Sequence, residues 1–392
     1  MDTLSNHSIS YDCKFDYIFD NFFLKLANFT KNNDKKLQKR QIRSFSEGLM
    51  RWNEQSNTRK MPWKGEKDPY KIWLSEVILQ QTRVEQGLQY YNHFIQTYPT
   101  IEALAGAKDE AVFKLWEGLG YYSRCRNLLT TARYITYELG GKFPATYEAL
   151  LKLKGVGPYT AAAIASFAFQ LPYAVLDGNV FRVIARYFGI DQPTDTNAGK
   201  ELFALLAADL LDISAPGVYN QAIMDFGATI CKPALPSCAT CPLQKNCNAL
   251  HTGRVNVLPL KSKTILRKKR WFYYFIFQQG DATGIRQRTE KDIWQGLHEF
   301  YLMESDKMIH WDESSVLSWL FTQLGVKNAA VQGISTQQKQ QLTHQQISGQ
   351  FIRVGLKTIP ESLKGLDWVR SAQMRKLAFP RFITAYLEQG AS

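Results

Sequence analysis

Apolar residues recur three and four positions apart through most of the first 250 residues, and alternation with period two is almost absent there. This spacing is typical of helices that bury one face, so it predicts an all-α region. One helix should cover about Arg43 to Asn53. Another should begin at Asp68-Pro69, where the acid can cap the helix and proline suits its first turn, and should continue to Gln80.

Two further helices flank the turn Gly155-Val156-Gly157. Leu153 ends one apolar run and Ala161 opens the next, so this stretch predicts a helix–hairpin–helix. The glycines leave backbone amides uncovered at a helix N-terminus, where partial positive charge attracts anions such as a nucleic-acid phosphate. Most isolated turns of this kind bind nothing. A polar loop, Asp177-Gly178-Asn179, is expected after the second helix and carries one carboxylate.

From residue 271 the pattern changes to that of strands, and a smaller α+β domain is expected. The predicted strands are Trp271–Phe277, with Gly284–Thr289 and His298–Met303 as its possible partners, and a hairpin over Gln341–Val354 centred near Ser348-Gly349. The predicted helices are Asp312–Leu324, Ser371–Leu377 and one after Pro380.

The chain therefore divides into two folded domains with flanking segments. Residues 1–40 form an N-terminal extension, helical over Phe15–Leu26 or disordered, and Thr30–Lys36 suggests a solvated linker. Residues 41–250 form the helical domain, 251–270 a basic linker, and 271–392 the α+β domain.

The net charge of +13 and the isoelectric point of about 9.3 favour a polyanionic partner, nucleic acid before membrane. No stretch approaches the ~20 apolar residues of a membrane helix, and the N-terminus lacks the apolar core of a signal peptide. A cytoplasmic, reducing location is therefore expected, where cysteines serve as free thiols or metal ligands.

Glu76 is the first candidate catalytic residue. It lies four residues after Ile72 and three from Trp73 and Leu79, on or beside the apolar face of its helix. A carboxylate there is costly unless it is paired or protonated, and such a site suits a general acid. The alternative is a glutamate at the edge of the apolar face that simply reaches water.

Four of the six cysteines, Cys231, Cys238, Cys241 and Cys247, lie close together in the sequence as C-x6-C-x2-C-x5-C. Four thiolates at this density can hold a [4Fe–4S] cluster or a tetrahedral zinc ion, and the spacing leaves both open. Cys13 and Cys125 lie outside the set and are expected to be ordinary thiols.

Five motifs in this order resemble the MutY family of adenine DNA glycosylases, within the helix–hairpin–helix superfamily that includes endonuclease III. They are Trp73–Thr82 (WLSEVILQQT), Gly118–Arg124 (GLGYYSR), the hairpin Leu153–Ala161, Leu176–Val180 (LDGNV) and the four cysteines. The resemblance covers about residues 41–380, and residues 1–40 fall outside it.

The resemblance implies excision of adenine mispaired with 8-oxoguanine or guanine in duplex DNA by a monomeric enzyme. Glu76 would protonate the flipped adenine, and Asp177 would stabilise the oxocarbenium-like sugar, as two carboxylates do in glycoside hydrolysis. The implied cofactor is a [4Fe–4S] cluster. The implied residues of the adenine pocket and of the wedge that fills the gap in the duplex are Trp63, Gln81, Thr82, Tyr121, Tyr159, Asn179 and Gln221.

Tyr159 bears on the reaction type. Lyase-type relatives of the endonuclease III kind carry a lysine nucleophile just after the hairpin glycines, and this chain has Tyr159 there, with Lys154 on the other side of the turn. A monofunctional glycosylase is therefore expected. The alternatives are a lyase-type glycosylase for oxidised pyrimidines and a non-catalytic DNA-binding iron–sulfur protein.

The C-terminal domain resembles the family's Nudix-like domain, which recognises 8-oxoguanine. The acidic signature of Nudix hydrolases is missing between Gly280 and Gly325, so diphosphate hydrolysis is not expected. Leu342-Thr343-His344 corresponds to a Phe-Ser-His recognition loop with two departures. Thr343 and His344 are the candidate lesion contacts, and a plain hairpin strand is the alternative.

Overall fold

The computed structural model describes residues 33–262 and 267–389. Cys13, the predicted helix Phe15–Leu26 and most of the N-terminal extension lie outside the described residues. The helices up to residue 251 are α1 (Asn33–Ser56), α2 (Pro69–Leu79), α3 (Val84–Thr97), α4 (Ile101–Ala105), α5 (Asp109–Trp116), α6 (Tyr122–Arg133), α7 (Tyr147–Leu150), α8 (Pro158–Phe169), α9 (Gly178–Phe188), α10 (Asn197–Leu210), α11 (Pro216–Thr229) and α12 (Asn248–His251).

The helical prediction for this region is confirmed, but two boundaries were wrong. Helix α1 begins at Asn33, ten residues before the predicted start, and includes part of the segment interpreted as a linker. The run of lysine, glutamine and leucine there contains no glycine or proline, so polarity alone was a poor sign of a linker. The expected loop at Gly178-Asn179 is the first turn of α9, because Asp177 caps that helix.

Contacts between residues group the chain into two compact units that interleave along the sequence. The first contains the described residues of Met1–Ile72, Ala145–Tyr147 and Gly157–Lys263. Its core joins α1 with α8 to α12 through buried aromatic and aliphatic side chains. The largest of these are Phe45, Trp52, Tyr187, Phe203, Tyr219 and Phe226.

The second unit contains the described residues of Trp73–Pro144, Glu148–Val156 and Thr264–Ser392. Its helical part has a core of its own, in which Trp116 packs edge to face on Phe94 with the ring centroids 5.7 Å apart. The hairpin turn rests on α6, because the hydroxyl of Thr131 donates to the Lys154 carbonyl at 2.8 Å.

The rest of the second unit is a mixed sheet with helices on it. Its strands are β1 (Lys268–Gln279), β2 (Ala282–Gln287), β3 (His298–Glu299), β4 (Tyr301–Ser305), β5 (Ala329–Ile334), β6 (Gln338–Gln341), β7 (Gln345–Leu356) and β8 (Asp367–Arg370). Its helices are α13 (Glu313–Leu324), α14 (Ser371–Met374) and α15 (Arg381–Gln389). Strand β1 pairs antiparallel with β2 and β4 and parallel with β7, which also pairs with β5 and β6.

Alternate side chains of β1 enter two separate hydrophobic cores, one on each face of the sheet. Phe272, Tyr274 and Ile276 enter the first, and Tyr273, Phe275 and Phe277 enter the second. The uninterrupted apolar run from Trp271 to Phe277 therefore reflects a strand that is buried on both faces. The predicted α+β class is confirmed.

The hairpin predicted at Ser348-Gly349 was wrong. These residues lie inside β7, and the turn falls earlier, between β6 and β7. Gly349 stands opposite Phe272 of β1, where a Cβ atom would lie 1.8 Å from the Phe272 carbonyl oxygen. The glycine therefore permits a close approach of two strands, a role that sequence cannot distinguish from that of a turn.

Candidate functional site

Glu76 lies on α2, and only 5% of its surface is exposed. Ser75 and Val77 on either side are buried as well. Helix α2 begins as expected, because Asp68 accepts a hydrogen bond from the Tyr70 amide at 2.9 Å. The alternative of a glutamate that reaches water is therefore wrong. Burial disfavours the charged form of a carboxyl group, which is a property that suits a general acid.

The two candidate wedge residues in the second unit occupy tight turns. Gln81 follows the end of α2 and Tyr121 precedes α6, and both are exposed. Both have positive φ, 59° and 46° respectively, which side-chained residues rarely adopt. Thr82 is half-buried, and its amide closes the turn on the Leu79 carbonyl at 3.1 Å.

Gly155 and Gly157, the two glycines of the hairpin, are exposed. Gly155 has a φ of +81°, and a Cβ atom there would lie 2.7 Å from the Cβ of Asn127, so glycine is required both by conformation and by space. Val156 is buried, and its amide donates to the Leu153 carbonyl at 3.1 Å. The turn thus presents backbone to solvent while one apolar side chain anchors it.

Asp177 belongs to the first unit and caps α9. Its Oδ1 accepts hydrogen bonds from the Asn179 and Val180 amides, both at 2.8 Å, and its Oδ2 accepts one from the Asn179 side chain at 2.6 Å. Burial raises the pKa of the Asp177 carboxyl, and these bonds, together with the charge of Arg182, oppose the rise. The side chain is therefore fixed in direction and costly to ionise.

Asn179 is held in turn by Arg182, whose Nη2 donates to its Oδ1 at 2.8 Å. The Nε of the same guanidinium donates to the Cys231 carbonyl at 2.7 Å. A chain of hydrogen bonds thus runs from Asp177 to the first of the four cysteines. Sequence reasoning missed Arg182, although its position one turn into a helix that begins with Asp-Gly-Asn is a usable signal.

The loop that carries Trp63 is joined to α11 by Asp225, which is fully buried. Its carboxylate accepts hydrogen bonds at 2.9 Å from Arg59, Lys64 and Gln221. Trp63 itself is 8% exposed, and Gln221 is half-buried. Sequence reasoning missed Asp225, although it lies four residues after Gln221 and therefore on the same helix face.

Tyr159, at the position where a lyase would carry lysine, is half-buried in the first turn of α8. It packs against the core of the first unit. The phenol ring therefore has a packing role in addition to any contact with a ligand.

The four candidate metal ligands line one pocket together with Arg186. Among the described residues, none of the four forms a disulfide, and neither does the buried Cys125. Burial, and then repulsion from the Cys231 sulfur, raises the pKa of Cys238, and burial raises the pKa of Cys241 to about 12. Arg186 donates to the Cys231 sulfur at 3.5 Å and to the Lys232 carbonyl at 2.8 Å.

Four cysteines and one arginine line a single pocket, and cysteine thiolates are a donor type that binds zinc or an iron–sulfur cluster. Within the described ranges, no three His, Cys, Asp or Glu side chains are arranged as the ligands of one metal ion. The structural observation about the four cysteines is therefore that they line the same pocket.

The predicted lesion loop, Leu342-Thr343-His344, forms the turn between β6 and β7. Thr343 and His344 are both exposed, and the amide of Leu342 donates to the Gln345 carbonyl at 2.8 Å. The Thr343 hydroxyl hydrogen-bonds the hydroxyl of Tyr121. The structure thus brings a candidate lesion contact and a candidate wedge residue of the second unit together.

The described helices include none that is both long and apolar enough to cross a membrane.

Comparisons with known proteins agree with this organisation. The family model for HhH-GPD superfamily base excision DNA repair proteins matches residues 74–207, and that for the NUDIX domain matches residues 272–389. A solved thermostable thymine-DNA glycosylase is similar in fold, with a TM-score of 0.51 and 29% identity over 55% of this chain and 99% of that one.

Curated relatives carry the name adenine DNA glycosylase. The protein from Buchnera aphidicola subsp. Schizaphis graminum is 38% identical over 271 residues, which cover 68% of this chain and 77% of the relative. The human protein is 43% identical over 219 residues, which cover 53% of this chain and 40% of the relative. The chain therefore belongs to the adenine DNA glycosylase family of base-excision repair enzymes.

Proposed function

We propose that the protein removes adenine paired with 8-oxoguanine or guanine in duplex DNA and leaves the DNA strand intact. The observation that carries this proposal is the buried carboxylate of Glu76, in the part of the chain that matches the base-excision repair family. The net charge of +13 suits a DNA partner.

Glu76 acts as the general acid. Adenine is a poor leaving group until one of its ring nitrogens is protonated, and a buried carboxyl group can deliver that proton in a site that excludes water. The rigid helix α2 keeps the direction of the carboxyl group fixed.

Asp177 stabilises the positive charge that develops on the sugar when the bond to adenine breaks. Three hydrogen bonds hold the carboxylate without neutralising it. Because burial raises its pKa, the ionised form is short of solvation and gains from a nearby cation. Water then attacks the sugar, and the product is an abasic site.

The remaining candidates divide by role. Trp63, Asn179, Gln221 and Tyr159 line the adenine pocket, and Gln81, Thr82 and Tyr121 occupy the space that the flipped adenine leaves. The exposed glycine turn Gly155-Val156-Gly157 holds a DNA phosphate. Tyr159 has no amine to form a Schiff base, which supports a glycosylase without strand cleavage.

A single-turnover assay tests this function. We expect release of adenine from A:8-oxoG and A:G duplexes, no release from a thymine-glycol duplex, and strand breaks only after alkali. Cleavage without alkali, together with trapping by borohydride, would identify a lyase instead. Binding without release on every duplex would support the non-catalytic alternative.

For the cysteine pocket we propose a [4Fe–4S] cluster held by Cys231, Cys238, Cys241 and Cys247. When bound, this group fixes the loop between its ligands. Arg186 offsets part of the negative charge of the four thiolates, and the hydrogen bonds of Arg182 tie the pocket to α9.

The cluster gives a direct prediction. The purified protein should contain about four iron atoms per chain and show broad visible absorption. Cys238→Ser should lose most of both signals, whereas Cys125→Ala, which changes a buried cysteine outside the pocket, should keep them. Zinc in stoichiometric amount without iron would contradict the proposal.

For the C-terminal part we propose recognition of 8-oxoguanine by Thr343 and His344. Both side chains stand exposed on a tight turn, and a hydroxyl and an imidazole can together offer the donors and acceptors that distinguish the oxidised base.

We therefore expect the double substitution Thr343→Ala and His344→Ala to lower the preference for A:8-oxoG over A:G by about fivefold or more. The measurement is the ratio of single-turnover rates on the two duplexes. Thr336→Ala, an exposed threonine in the turn between β5 and β6, is the matched control. An unchanged ratio in the double variant would exclude the assignment.

The domain division at 41–250, 251–270 and 271–392 remains part of this proposal, as do action as a monomer and a cytoplasmic location on DNA.

A further inference from the structure

Two turns of the second unit share an unusual backbone feature. Gln81 and Tyr121, which the proposed function assigns to the DNA wedge, both have left-handed φ values, 59° and 46°. Neither is glycine or asparagine, the residues that adopt this conformation readily. A side-chained residue keeps a left-handed conformation only when the surrounding structure holds it there.

One buried side chain contacts both turns. Arg124, near the start of α6, donates from Nη1 to the carbonyl of Gln80 and from Nη2 to the carbonyl of Gly120 at 3.4 Å. These carbonyls belong to the peptide bonds that lead directly into Gln81 and Tyr121. The guanidinium therefore fixes the orientation of the peptide plane before each left-handed residue.

The same guanidinium is anchored on α2 and on the second turn. Nη1 also donates to Val77 at 2.8 Å and Ile78 at 3.0 Å, the free carbonyls near the C-terminal end of the helix that carries Glu76. Nη2 also donates to Leu119 at 3.4 Å. Carbonyls at a helix C-terminus favour a cation, so these contacts are attractive.

Arg124 is only 9% exposed, and among the described residues no carboxylate contributes to its electrostatic environment. Burial lowers its pKa to about 10, which still leaves it protonated at neutral pH. Its charge is therefore balanced by carbonyl dipoles and by the ring faces of Trp116 and Tyr121, 5.3 and 5.4 Å away.

We propose that Arg124 is a positioning residue that forms both wedge turns before DNA binds. It holds Gln81 and Tyr121 in their left-handed conformations. Both turns therefore already have their DNA-bound conformation in the free protein. The inference rests on the proposed wedge role of these two residues. Its consequence is that base flipping does not have to supply the free energy for ordering the turns.

Lysine cannot replace arginine in this arrangement, because one ammonium group cannot span two turns with a planar fork of donors. We expect Arg124→Lys to slow single-turnover excision from an A:8-oxoG duplex by about tenfold or more. On a duplex with adenine opposite an abasic-site analogue the loss should stay below about threefold, because no base pair has to be broken there.

Arg133→Lys is the matched control. Arg133 lies at the other end of α6 and donates to the carbonyls of Ala105 and Ala107 at 3.3 and 3.1 Å, but it contacts neither wedge turn. It should affect both duplexes equally and weakly. An equal loss on the two duplexes with Arg124→Lys would overturn the inference, whereas an inactive parent protein would overturn the proposed function instead.

Hydrogen exchange on the unaltered protein gives a test that does not depend on folding of the variant. The amides of Thr82 and Arg124 donate to Leu79 at 3.1 Å and Tyr121 at 2.8 Å, one across each turn. If the turns are formed in advance, both amides are protected without DNA and gain little protection on binding. Fast exchange that slows only with DNA would refute the proposal.

Discussion

Replacing Glu76 by glutamine should abolish adenine release while leaving duplex binding nearly unchanged. Glutamine has the shape of glutamate but cannot deliver a proton, so the expected loss is about 10²–10⁴-fold in the single-turnover rate. The affinity for an A:8-oxoG duplex should stay within about threefold, because the DNA-binding charges are untouched.

The burial of Glu76 makes this experiment informative. Glutamine keeps the size of glutamate and removes the charge that is costly to bury, so the unfolding temperature should hold. Glu85→Gln, an exposed glutamate on α3, is the matched control and should retain full activity. Undiminished release by the Glu76 variant would rule out the general-acid mechanism.

Replacing Asp177 by asparagine should slow adenine release by about 10²–10³-fold, because the amide carries no charge to stabilise the developing cation. In the unaltered protein the carboxylate must be ionised to act. Its pKa is raised by burial, so the rate should fall as the pH drops through that raised value. The measurement is the pH dependence of the single-turnover rate.

The same substitution has an expected effect on stability, with a definite sign. A carboxyl whose pKa is higher in the folded protein than in the unfolded chain resists ionisation in the fold, so its ionised form costs stability above the folded value. The free energy of unfolding of Asp177→Asn, relative to that of the parent, should therefore rise with pH between the pKa of Asp177 in the unfolded chain and its higher pKa in the folded protein. The amide also loses the bond from the Asn179 side chain, which adds a constant offset but no slope.

Asp312 provides the contrast, because it caps α13 as Asp177 caps α9. Hydrogen bonds from Ser315 lower its pKa, so its carboxylate contributes stability at neutral pH that is lost as the pH falls through the lowered value. Asp312→Asn should thus show the opposite pH trend, with no effect on adenine release. Equal trends in the two variants would contradict the assigned environments.

The two expected results test one chemical step, the breaking of the bond to adenine, in which two carboxyl groups act from different environments. In the proposed mechanism, Glu76 delivers a proton to adenine and Asp177 acts in its ionised form when the bond breaks. The buried position on a helix suits the role proposed for Glu76. A cap position with three hydrogen-bond donors suits the role proposed for Asp177, although burial makes the ionised form costly.

Local signals predicted the helical region well. Asp68-Pro69 marked the start of α2, because capping depends on residues within one helical turn. The apolar spacing placed Glu76 on or beside the buried face but left open that its carboxylate reaches water, and the structure decided this point. The glycine turn at residues 155–157 and the group of four cysteines could likewise be recognised from their spacing alone.

Features that depend on distant partners were not predictable in this way. Gly349 looked like a turn residue because its actual neighbour, the carbonyl of Phe272, is 77 positions away in the sequence. The buried Asp225 looked like an ordinary helix residue, since Arg59 and Lys64 reach it from a loop about 160 positions earlier.

The sequence by itself therefore determined the fold class, the family and the identity of the candidate acids, because periodicity, turn chemistry and ordered motifs are local properties. Only the tertiary structure decided which of those residues are buried, what holds them, and that one arginine contacts the turns at both Gln81 and Tyr121. The physical reason is that burial, hydrogen-bond geometry and pKa are set by side chains that the fold brings together from far along the chain.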